Sequence, residues 1–127
     1  MLKTGILNPH INALLSRVRH TNTLVIADRG FPFWPHVETI DIALVDNIPT
    51  VLDVLKALAP NFIIGHAWMA AEFRQHNPPE LQQAYAALLP PITFEPHLDF
   101  KRRVPAAIGL IRTADTAQYA NIILESA

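Results

Sequence analysis

Three pairs of side chains in this 127-residue chain have the types and spacing to move protons or to bind hydroxyls. The first is His20 and Asp28, at the two ends of the short apolar run in "RHTNTLVIADRG". Histidine changes charge near neutral pH and suits general acid–base work, which contributes about 10²–10⁴-fold in rate. A carboxylate beside it orients the imidazole or accepts two hydroxyl hydrogen bonds. The second pair, His97 and Lys101 in "HLDFKRRV", lies one helical turn apart and so shares a helix face. The third, Tyr119 and Asn121, lies two residues apart ahead of "IILES", so an extended backbone turns both to one side. A phenol passes a proton or bonds a hydroxyl, and an amide offers both a donor and an acceptor. Each group also has a plainer reading. Asp28 would cap the turn after it, His20 would bond a carbonyl where helix meets strand, and Tyr119 and Asn121 would be a structural tyrosine and a strand-start asparagine.

The elements that must position these residues alternate. Asn8-Pro9 opens a helix whose face is Ile11, Leu14, Leu15 and Val18. Residues 23–28 read as a buried strand, followed by a loop broken by Gly30, Pro32 and Pro35 that carries Phe31, Phe33 and Trp34. "ETIDIALV" alternates as a half-buried strand, and Thr50 caps the helix "VLDVLKAL". "FIIGHAWMAAEF" begins as a strand, and "NPPELQQAYAALL" is a helix with Asn77 as its cap. A short strand "ITFEP", a short helix "HLDFKRRV" and the strands "AAIGLIRT" and "ANIILES" complete the chain. The alternation predicts a single three-layer α/β/α domain over residues 1–127 with a central, largely parallel sheet. In such sheets ligands gather at the carboxyl ends of the strands, where Asp28 falls.

Composition narrows the function. A net charge of −1 and a pI near 6.6 give no footprint for nucleic acid or an anionic membrane. No apolar window is long enough to span a bilayer, and the N-terminus lacks a secretory signal pattern. The absence of cysteine excludes thiol catalysis and fits a cytoplasmic protein. No glycine-rich dinucleotide or phosphate loop and no Gly-x-Ser-x-Gly elbow occurs. The six histidines show no paired ligand spacing, so no metal is expected unless distant segments assemble a site. Half the residues are hydrophobic, which argues for surface hidden between copies. The loop 31–34 and the run Ile122-Ile123-Leu124 are the expected contacts.

Five segments in order then resemble the D-ribose pyranase and L-fucose mutarotase family across nearly the whole chain: "GILNPHI", "RHTNTLVIADRGFP", "ETIDIAL" with "IPTVLDVL", "HLDFKRR" and "IRTADTAQYANIIL". The resemblance implies a cofactor-independent isomerase that opens and recloses the ring of a monosaccharide such as D-ribose or L-fucose. It implies His20, Asp28 and Tyr119 as catalytic groups, and His97, Lys101 and Asn121 as substrate-binding groups. It also implies a cytoplasmic, ring-based homo-oligomer, a decamer or a related multimer. Relative to the family pattern, Arg19, Asn22 and Arg29 flank the first motif, and Ala114-Asp115 stands where the closing motif has a glutamate. A second reading keeps the fold as a sugar-binding or regulatory protein without catalysis.

Overall fold

A computed structural model describes all of residues 1–127. The helices are α1 (Pro9–Leu15), α2 (Val51–Leu58), α3 (Ala71–His76), α4 (Pro79–Ala86) and α5 (His97–Arg103). The strands are β1 (Thr23–Ala27), β2 (Thr39–Asp41), β3 (Ile64–Ala70), β4 (Ile92–Glu95), β5 (Gly109–Arg112) and β6 (Ile122–Ser126). They form one six-stranded sheet in the order β2-β5-β1-β6-β3-β4. β1, β2 and β5 pair in parallel, as do β3 and β4, whereas β6 runs antiparallel to both β1 and β3. The expected largely parallel sheet is therefore a mixed one, with five strands in one direction and the sixth reversed at its centre.

Local chemistry explains the elements. Asn8 accepts hydrogen bonds from the His10 and Ile11 amides, and Pro9 fills a position that needs no donor. Thr50 and Asp53 close a reciprocal capping box at the start of α2. Leu24 and Ile26 of β1 face a core built with Leu14, Leu55, Leu58, Phe73 and Tyr85, whereas Val25 and Ala27 face Phe31, Phe100, Val104 and Leu110. Helices α1 to α4 thus cover one side of the sheet, and α5 with the aromatic loop covers the other. This is the expected three-layer arrangement.

Three expectations are corrected. β2 stops at Asp41, because the chain then turns back on itself with the Leu44 amide donating to the Ile48 carbonyl. Asn77 does not cap α4: its amide donates to the carbonyls of Phe73 and Gln118 instead. Ile122, Ile123 and Leu124 are fully buried at the sheet centre, so that run offers none of the exposed apolar surface expected of it; in the loop 31–34 Phe31 is buried with Phe100 beside it, whereas Phe33 is exposed. The exposed large apolar side chains are Phe33, Leu44, Val45, Ile48, Ile63 and Leu98, together with those of the N-terminal segment.

Candidate functional site

The reversed strand decides where the site forms. β1 delivers Asp28 at its carboxyl end, and β6, running the other way, delivers Asn121 at its amino end beside it. The two lock together: the Asp28 amide donates to Asn121 Oδ1 at 2.7 Å, and Asn121 Nδ2 donates to Asp28 Oδ2 at 3.0 Å. The other carboxylate oxygen of Asp28 accepts the Gly30 amide at 2.9 Å. β4 ends at the same edge and leads into α5, whose first residue is His97. The Glu72 carboxylate accepts the His97 amide at 3.0 Å and anchors that helix start. A pocket of about 310 Å³ opens here, lined by Asp28, Gly30, Phe31, Pro32, His97, Gln118, Tyr119 and Asn121. That volume is at the small end for ligand sites. A larger cleft of about 530 Å³ lies between α4 and β4, and Arg74 is its sole ionisable lining residue.

Tyr119 does not sit on extended backbone as its spacing from Asn121 suggests. Its φ of 58° is left-handed, in a turn closed by the Ala120 amide on the Ala117 carbonyl. The ring still reaches the pocket, where it meets His97 edge to face with centroids 5.1 Å apart.

Burial lifts the Asp28 carboxyl above its ordinary range. The Asn121 amide and the backbone N–H of Gly30 oppose that lift, and the charge of Asp115 adds to it. Burial also pushes His97 below the ordinary histidine value, helped by the Lys101 cation one turn along α5 and opposed by Glu72 and Asp28. The two shifts displace an acid and a base in opposite directions within one pocket. His97 Nδ1 is buried with no partner in the chain, and so keeps hydrogen-bonding capacity free.

Of the six residues singled out from sequence, Asp28, His97, Tyr119 and Asn121 meet at this pocket. Lys101 stands behind His97 and acts on it by charge. His20 is not brought to the pocket: it is exposed in the turn before β1, at the opposite end of the strand from Asp28. Four strand steps alone separate the two ends by roughly 13 Å. Sequence reasoning missed Asp115, which is 5% exposed. Its carboxylate accepts the amides of Val51 at the start of α2 and of Ala117, and its carbonyl accepts the Arg29 amide. It ties three segments together beneath the pocket. The one sequence signal for it was the closing motif, where it stands in place of the family's glutamate. No three histidine, aspartate or glutamate side chains converge as a metal site would require.

Fold and site together define a class: an α/β protein whose carboxyl-edge pocket gathers a carboxylate, an imidazole, a phenol and an amide. The comparisons narrow it. The chain matches the RbsD/FucU transport protein family over residues 1–127. The D-ribose pyranases of Laribacter hongkongensis and Geobacillus thermodenitrificans are each 39% identical to it, over 99% of this chain and 97% and 96% of theirs. The structure of Bacillus subtilis RbsD complexed with D-ribose superposes with a TM-score of 0.88 at 33% identity, covering 100% of this chain and 98% of that one. The Streptococcus pneumoniae fucose mutarotase, in complex with L-fucose, superposes at 0.82 with 20% identity over 99% and 98%, a likeness of fold alone. The chain belongs to the RbsD/FucU family, as its motifs implied, and it is an isomerase of the pyranase and mutarotase type.

Proposed function

We propose that this protein interconverts the pyranose and furanose forms, and the α and β anomers, of a monosaccharide, with D-ribose the first substrate to test. The observation that carries the proposal is the meeting of Asp28, His97, Tyr119 and Asn121 at one small pocket, in a chain about two-fifths identical to D-ribose pyranases along its whole length. Ring opening removes a proton from the anomeric hydroxyl, breaks the bond between the anomeric carbon and the ring oxygen, and delivers a proton to that oxygen. The open-chain aldehyde recloses through a different hydroxyl or on its other face, with the proton roles reversed. Redox state is conserved and no group is transferred, so side-chain acids and bases suffice.

The roles follow from position and chemistry. Asp28 and Asn121, already locked together, offer acceptors and donors to sugar hydroxyls. His97 and Tyr119 bind a hydroxyl and pass protons at the ring. His20, too far from its own Asp28, serves the pocket of a neighbouring copy in a closed, ring-based homo-oligomer. The exposed Phe33 and Leu98 follow the pocket residues Pro32 and His97 in sequence and provide apolar surface for such a neighbour. The cysteine-free composition suits a cytoplasmic location for this chemistry.

The test is saturation-transfer NMR between the ring-form signals of D-ribose, L-fucose and other sugars, with and without the protein. Accelerated exchange for D-ribose is expected, and it should survive exhaustive chelation of divalent ions. Binding of ribose without acceleration would leave a sugar-binding protein and overturn the catalytic reading.

A further inference from the structure

The ring of Tyr119 is held on two sides. His97 meets its edge, and His76, the last residue of α3, stacks against it with centroids 5.3 Å apart and planes 27° from parallel. His76 is exposed and takes no part in the proton chemistry assigned above. The next residue, Asn77, donates from its side-chain amide to the Gln118 carbonyl at 2.8 Å and to the Phe73 carbonyl at 2.8 Å. Gln82 of α4 in turn donates to the Asn77 carbonyl at 2.9 Å. The corner between α3 and α4 therefore grips the main chain immediately before Tyr119 and the ring of Tyr119 itself.

That grip has a physical purpose, because Tyr119 stands at φ 58°. A bulky residue holds such a conformation only where the surroundings over-determine it. Within its own loop, one turn bond of 3.3 Å spans the residue. The remaining restraint comes from His76 and Asn77, more than 40 residues away in the chain, and from Asn121 fastened to Asp28. We infer that His76 and Asn77 are positioning residues for Tyr119: Asn77 fixes the backbone that aims the phenol into the pocket, and the flat face of His76 keeps its ring from swinging away. The role of His76 is one of shape, so a planar apolar ring would serve as well as an imidazole. This inference rests on the reading of the pocket as a sugar ring-opening site, since that reading gives the aimed phenol its use.

The experiment compares wild type with His76→Ala, His76→Phe and Asn77→Ala. It measures kcat and KM for D-ribose exchange, and separately the ring resonances of ¹³C-labelled Tyr119. A misplacement of about 1 Å costs up to about 10²-fold. His76→Ala and Asn77→Ala should lower kcat about tenfold or more and broaden or shift the Tyr119 signals. His76→Phe should stay within about twofold of wild type and keep one sharp set of signals. Unchanged kcat and unchanged Tyr119 signals in His76→Ala would overturn the inference. So would an equal loss of kcat in His76→Phe and His76→Ala, because the imidazole rather than its flat face would then be at work. If Asn77→Ala does not fold, the two His76 variants decide alone. If wild type shows no exchange, the ring-opening reading fails, and the Tyr119 resonances still report whether His76 holds the ring.

Discussion

His97 and Asp28 sit within one pocket with their proton affinities displaced in opposite directions. Both shifts have consequences for stability. A folded-state pKa below the unfolded one means that the unfolded chain takes up the proton first as pH falls. His97 therefore contributes stability that is full above the ordinary histidine value of about 6.5 and is lost as pH falls through its lower folded value. Asp28 does the reverse: its burial favours the neutral acid, and it gives up stability as pH rises through its raised folded value. Denaturant unfolding at about pH 7 and about pH 5 should show His97→Gln losing less stability on acidification than wild type. An equal or larger loss would contradict the assigned shift. Tyr85 gives a second prediction at this scale. Its ring packs on Phe73 with centroids 5.0 Å apart, but its hydroxyl is buried without a partner, and burial pushes its pKa well above the usual range. An unsatisfied buried donor costs about 1–3 kcal/mol. Tyr85→Phe should therefore be at least as stable as wild type in urea, and a clear loss would show that the hydroxyl has a use inside the core.

Helix α1 and strand β5 pack so closely that a Cβ on Gly109 would come within 2.6 Å of both methyl groups of Leu14. Gly109→Ala should destabilise by about 1–3 kcal/mol through overpacking. Trimming Leu14 to Val in the same chain should restore part of the loss, and a fully stable Gly109→Ala would refute the tight packing. At this scale much was legible in the sequence. The apolar run of β1, the proline start of α1 and the Thr50 cap of α2 are local signals, and the structure repeats them. The failures share a cause. Asn77 carries the type and place of a cap, but its amide reaches a carbonyl 41 residues away. Asp115 meets Val51 across 64 residues, and His76 meets Tyr119 across more than 40. No spacing along the chain records such contacts. The pocket itself was half legible: Asp28, His97, Tyr119 and Asn121 stood in motifs, whereas the turn that aims Tyr119 and the Glu72 anchor of α5 arise only in the folded chain.

In the proposed assembly each pocket needs two copies, because His20 and Asp28 flank β1 at its opposite ends. That arrangement predicts complementation. His20→Ala and Asp28→Asn should each be inactive in ribose exchange. Mixing them after mild dissociation and reassembly should return a fraction of wild-type exchange, since some pockets would pair an intact His20 with an intact Asp28. Mixtures as inactive as either parent would show that the two residues do not serve one pocket across a boundary. Light scattering should give a mass well above that of a dimer.

The place of β6 bears on how the molecule comes into being. The strand nearest the C-terminus is not an edge: it joins β2-β5-β1 to β3-β4, and without it the sheet is two unconnected halves. During synthesis the first five strands leave the ribosome before the piece that joins them. Asn121, at the head of that strand, reaches Asp28 in the same event. A half-made chain thus carries neither a continuous sheet nor a pocket. The strand that joins the two halves of the sheet is also the one that supplies Asn121 to Asp28, so a chain cut before β6 lacks both the joined sheet and that pair.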